Sequence, residues 1–98
     1  MSSWRVPIGG QMYDVTLEKE VEGGDSGCID AEAKTIKISE DEATTDALLM
    51  GIYLHEIIHG YQFEGGWSEI LGEKEMELWA EGLTNQLMGS FEMKIKKY

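Results

Sequence analysis

Residues 41–63, DEATTDALLMGIYLHEIIHGYQF, decide how this chain folds. No proline interrupts them, and apolar residues recur at spacings of three and four, the period of an α-helix. At 100° per residue Ala47, Met50, Leu54, Ile58 and Tyr61 fall on one side. Leu48, Ile52, His55 and His59 fall on the adjoining side, and Tyr53 and Ile57 partly close the circle. A helix apolar nearly all round is a central one, packed by other elements on more than one side. Ser39 with Glu42 three residues on forms a candidate capping box for its start, with Thr44 or Thr45 as the alternative cap, and Gly65-Gly66 ends it.

Working outward toward the N-terminus, WRVPIGGQMYDVTL (4–17) reads as two short strands joined at Gly9-Gly10. Paired glycines supply the positive φ angles that a tight hairpin needs. Pro7 lacks a donor and suits an edge position. EKEVEGGDSG (18–27) is charged and glycine-rich, a loop, and CIDAEAKTIKIS (28–39) reads as a second hairpin turning at residues 31–34. Toward the C-terminus a second helix runs from about Ser68, with an expected core stripe of Met76, Trp79, Ala80, Leu83 and Leu87. Gly72 and Gly89 are its weak points. The whole, residues 1–98, reads as a single α+β domain: a small antiparallel or mixed sheet of three to four short N-terminal strands packed on two long helices.

With 98 residues, 42% of them hydrophobic, the chain can bury one modest core and little more. Its formal charge of -11, from 19 acidic and 8 basic residues, opposes phosphate backbones, which excludes nucleic acid as a partner. No stretch approaches the roughly 20 apolar residues that span a bilayer, and MSSWRVPIGG has no signal-peptide core, so no membrane is expected and the location reads as cytoplasmic. Cys28 is the only cysteine, which rules out an intrachain disulfide and fits a reducing compartment. Lys94, Lys96 and Lys97 beside Tyr98 make the C-terminal tail the one local basic patch, a segment able to lie across an acidic site.

The chemistry gathers in HEIIH (55–59), which holds the only two histidines of the chain. At i and i+4 both imidazoles project from one helix face and reach one metal ion. Glu56 sits about 100° round from His55, where it reaches a metal-bound water without being a ligand. The competing reading is a pair of hydrogen-bonded core histidines, but on so apolar a helix two unliganded imidazoles are costly. Zinc, Zn2+, suits this geometry and needs a third protein ligand and an open fourth position. With no histidine left, that ligand is acidic or Cys28, and GEKEMELWAEGL (72–83) offers Glu73, Glu75, Glu77 and Glu81. Glu77 lies beside the expected stripe of Met76 and Ala80 and aims inward. Glu73 stays open as an alternative, and Glu75 points more nearly to solvent.

HEIIH followed by a glutamate-bearing helix resembles the gluzincin class of zinc metallopeptidases, and the separation of His59 from Glu77 is similar to that class's spacing between second histidine and glutamate ligand. The shortness of the chain is similar to the minigluzincins, and ELWAEGL (77–83) after LHEIIH is similar to small phage and bacterial peptidase-like proteins of the ImmA/IrrE type. The resemblance covers roughly residues 27–88. It implies His55, His59 and Glu77 as zinc ligands, Glu56 as general base, and Glu81, where the class usually has aspartate, as the partner that orients a ligating histidine. It also implies hydrolysis of a peptide or protein substrate, held in extended form along one strand of the second hairpin, residues 27–31 or 35–38. A zinc-binding interaction module without catalysis is the alternative that the same residues permit.

Overall fold

A computed structural model describes the backbone of residues 3–96 and the side chains of residues 3–89. Strands β1 (Ser3–Ile8) and β2 (Gln11–Glu18) form the expected hairpin, with Gly9 and Gly10 at φ of 57° and 83°. Strands β3 (Gly27–Asp30) and β4 (Thr35–Ser39) form the second one. The two hairpins join through β2 and β4, which run parallel with Val15 opposite Ile36 and Leu17 opposite Ile38. The sheet is therefore mixed, in the order β1-β2-β4-β3, and β3 is an edge. Pro7 falls on the opposite edge strand, β1, where its missing donor is tolerated.

Alternation along the strands sends one set of side chains inward. Ile8, Tyr13, Val15, Ile36 and Ile38 are fully buried, and Trp4, Val6, Leu17 and Ile29 pack against them. Burying each of the isoleucines contributes about 2 kcal/mol relative to leaving it exposed. Helix α1 (Asp46–Glu64) covers this face of the sheet with Leu49, Ile52, Tyr53 and Ile57. Two glycines set how closely. A Cβ on Gly60 would stand 2.8 Å from Ile8 Cδ1, and one on Gly27 would stand 2.9 Å from Ile52 Cγ2 and 3.3 Å from Glu56 Cγ. The helix thus lies hard against the sheet at Gly60, and the edge strand β3 lies hard against the helix beside Glu56.

Three sequence expectations need correction. Helix α1 starts at Asp46, because Thr45 is its cap and accepts a hydrogen bond from the Leu48 amide at 3.1 Å. Ser39 still accepts from the Glu42 amide, at 3.4 Å, but this closes a local turn. On the side of α1 formed by Ala47, Met50, Leu54, Ile58 and Tyr61, Leu54 and Ile58 are half-buried, but Met50 and Tyr61 are 44% and 54% exposed. Helix α2 (Glu73–Lys96), preceded by a 3₁₀ turn at Trp67–Glu69, buries Met76, Ala80 and Thr84. Trp79 and Leu87 of the expected stripe are largely exposed. Met76, Ala80 and Thr84 fall at spacings of four and so share one face of a helix, whereas Trp79 is turned about 100° from the middle of that face.

Helix α1 is accordingly sandwiched between the sheet on one side and α2 on another. Among the described residues no helix is long and apolar enough to cross a membrane. The basic tail, Lys94 to Tyr98, falls outside the described side chains.

Candidate metal centre

Helical spacing puts His55 and His59 one turn apart on the flank of α1 that faces α2. Their rings stand 4.8 Å apart, inclined at 73°. Glu77, in the second turn of α2, reaches both of them. Its Oε1 lies 2.7 Å from His55 Nε2 and its Oε2 lies 3.0 Å from His59 Nε2. The two Nε2 atoms are 3.2 Å from each other. His59 is buried, His55 partly so, and Glu77 more than half exposed, so the cluster opens on the α2 side.

The proton arrangement identifies what this cluster is suited to hold. Gln62, three residues beyond His59 and almost fully buried, places its Oε1 2.8 Å from His59 Nδ1. Its Nε2 donates to the Met76 carbonyl at 3.0 Å, which fixes the amide's orientation and leaves Oε1 to accept from Nδ1–H. A neutral His59 then presents a lone pair at Nε2, toward His55 Nε2 and the Glu77 carboxylate. Three electron-pair donors thus converge within 4.8 Å of one another. Nitrogen and oxygen ligands about 2.0–2.1 Å from a tetrahedral zinc ion are themselves separated by about 3.3 Å, close to the spacings seen here. The donor set fits a divalent cation bound by two imidazoles and a carboxylate.

Glu56 lies next to His55 but on the β3 side of α1, and is 7% exposed. Burial pushes its carboxyl above the ordinary carboxylate range. His55 and His59 act against that shift, while Glu77 and Asp25 add to it. A carboxylate raised in this way is a better proton acceptor near neutrality.

These groups line one open cleft of about 870 Å³, walled by Asp25, Ser26 and β3 on one side and by Glu73, Glu77, Glu81, Thr84 and Asn85 of α2 on the other. The structure thus brings together His55, Glu56, His59 and Glu77. Glu73 and Cys28 line the cleft but stand outside the donor cluster, and Glu75 does not line it. Burial above all, then the nearby Glu56, raises the Cys28 thiol, which disfavours the thiolate that a metal would require.

Glu81 also lines the cleft, yet among the described residues no hydrogen bond joins it to either imidazole. Gln62 occupies the orienting position that the resemblance gave to Glu81. Sequence reasoning missed Gln62, although a polar amide three residues from a histidine on an apolar helix was a usable signal. Of the two candidate strands for extended substrate, β4 is interior and only β3 offers a free edge. No protein-family model, curated protein or solved structure matches this chain.

Proposed function

We propose that this protein is a zinc-dependent peptidase of gluzincin-like design. The observation that carries the reading is the convergence of His55 Nε2, His59 Nε2 and the Glu77 carboxylate, with the buried Glu56 one residue away along the cleft. A zinc ion held by these three residues would lower the pKa of a bound water to about 7 and polarise a scissile carbonyl.

The chain's own groups supply the remaining steps. Glu56 takes a proton from the attacking water as its oxygen bonds to the carbonyl carbon. It returns the proton to the departing nitrogen as the C–N bond breaks, leaving a carboxylic acid and an amine, and transfer of the second water proton between them gives carboxylate and ammonium. Gln62 keeps the His59 Nδ1 proton in place, so the Nε2 lone pair would stay available to a metal ion. The free edge of β3, which lines the cleft, holds extended substrate by backbone pairing.

A second reading has its own support. Helix α2 leaves Leu78 and Trp79 more than half exposed, so an ion bridging α1 and α2 would also act as a staple between them. Metal analysis of untagged protein beside Glu77→Ala tests the site: one zinc per chain, lost or weakened in the variant, is expected. Glu56→Gln then separates the two readings. A peptidase keeps its zinc and loses 10²–10⁴-fold in turnover, whereas a structural module shows no turnover in either form.

A further inference from the structure

The two faces of helix α2 meet different surroundings. Met76, Ala80 and Thr84 are buried against α1, while the opposite side carries Leu78, 63% exposed, and beside it Trp79, 53% exposed. Trp67, in the 3₁₀ turn before the helix, meets Trp79 edge-on with ring centroids 6.2 Å apart. Ile70, one turn beyond Trp67, is also exposed. Leu78 and Trp79 border a shallow groove that Gly82, Leu83 and Gln86 continue along the helix. The four large side chains together leave on the order of 500 Å² uncovered, an area of the size that marks an interaction surface.

The distribution of charge along α2 selects what covers this face. Toward its start the sequence carries Glu69, Glu73, Glu75, Glu77 and Glu81 against Lys74. Residues 82–91 carry no charged side chain, and beyond them Lys94, Lys96 and Lys97 outweigh Glu92. The α2 backbone is continuous as far as Lys96. A helix acidic at one end, uncharged in the middle and basic at the other is complementary to itself when turned end for end. Two copies laid parallel would instead set acid against acid and base against base.

We propose that the outward face of α2 pairs with the same face of a second copy of this chain, the two helices running antiparallel. A two-fold axis between positions 85 and 86 sets position 82 opposite 89, position 78 opposite 93 and position 75 opposite 96. The sequence then matches glycine with glycine, leucine with methionine and glutamate with lysine. These positions recur at steps of three, four and seven, the spacing of paired helices. A Cβ on Gly82 or on Gly89 would meet no atom within 4 Å, so the chain itself leaves this face open where the helices cross, and the absence of side chains there lets their axes approach closely. Two such faces bury about 1,000 Å² in all, which reaches the lower bound of a specific interface. The formal charge of -11 opposes any self-contact that lacks the acid–base match, and physiological salt screens that repulsion beyond about 8 Å while the matched ends touch. Glu77 stands about 100° round the helix from Leu78, so the metal centre and its cleft stay open in the pair. The pairing holds whether or not the protein is a peptidase.

Sedimentation equilibrium of the full chain across the micromolar range, at neutral pH and physiological salt, tests this. The expected mass at the upper end is twice the 11.0 kDa of one chain. Leu78→Glu should weaken the dimer about 30-fold or more, as loss of a central apolar anchor does. Gly82→Gln should weaken it too without lowering the melting temperature of the dilute monomer, because its side chain enters open space and glutamine favours a helix over glycine. Far-UV circular dichroism confirms that each variant is folded. Glu75→Lys and Lys96→Glu should each weaken the dimer several-fold, and the double variant should recover it, since both matched pairs are then restored with their signs exchanged. A single-chain mass at every concentration overturns the proposal and leaves the face to a different protein. A dimer indifferent to Leu78→Glu and Gly82→Gln also overturns it, because the copies then meet elsewhere, as along β3. Failure of the double variant to recover overturns the antiparallel pairing.

Discussion

Gln62 is the residue whose loss the site should feel most among those that touch no metal. Replacing it by leucine strands the His59 Nδ1 proton in a buried place, at a cost of about 1–3 kcal/mol, while the Met76 carbonyl, inside α2, keeps its helical acceptor bond. Zinc affinity should fall about 10–100-fold, read by competition with a chromogenic chelator beside a denaturant titration. A second network lies at the far end of α1, where Tyr13 donates to Glu64 Oε2 at 2.6 Å and Lys34 pairs with the same oxygen. The lysine bond, then the tyrosine bond, hold Glu64 below the ordinary carboxylate range, so its contribution is present above about pH 4.5 and is lost as pH falls through the lowered value. Burial, then Glu64, push the Tyr13 hydroxyl far above its ordinary value of about 10, so its contribution is complete below pH 10 and fades above it. Melting temperatures across pH should decline at both ends, and Tyr13→Phe should remove the alkaline decline while costing about 1 kcal/mol at neutrality.

At the scale of elements, the seat of β3 on α1 depends on Gly27. Gly27→Ala forces a Cβ to within 2.9 Å of Ile52 and 3.2 Å of the Lys37 carbonyl, so a loss of about 1–3 kcal/mol is expected by denaturant unfolding. The hairpins, α1 and its histidine face were legible because period and turn chemistry are local, as at Gly9-Gly10 and in HEIIH. The parallel seam of β2 and β4 was not, since nothing in either hairpin's own pattern says which strand meets its neighbour. The face of α2 was misread for a related reason: Trp79 and Leu87 are as apolar as Met76 and Ala80, and only the position of α1 decides which of them are covered. Glu77 was legible as the inward acid because it adjoins Met76. Glu73 and Glu81, a turn to either side, needed the structure to separate lining from donation.

For the whole molecule, the proposed metal, shared by α1 and α2, would bind the folded state and not the unfolded one. Removal by chelator should lower the melting temperature, by the equivalent of about 2.7 kcal/mol when free zinc had stood at 100 times its dissociation constant. A calorimetric scan with and without chelator checks this, and Glu77→Ala should be insensitive to the chelator. The free edge of β3 has a different consequence. β1 closes its end of the sheet with Pro7, whereas Gly27–Asp30 carries no proline, so its backbone groups offer another copy of the chain a place to pair. A formal charge of -11 holds such copies apart near neutral pH. Near the sequence isoelectric point of about 4.4 that repulsion vanishes, and acidic conditions become those in which this fold aggregates edge to edge.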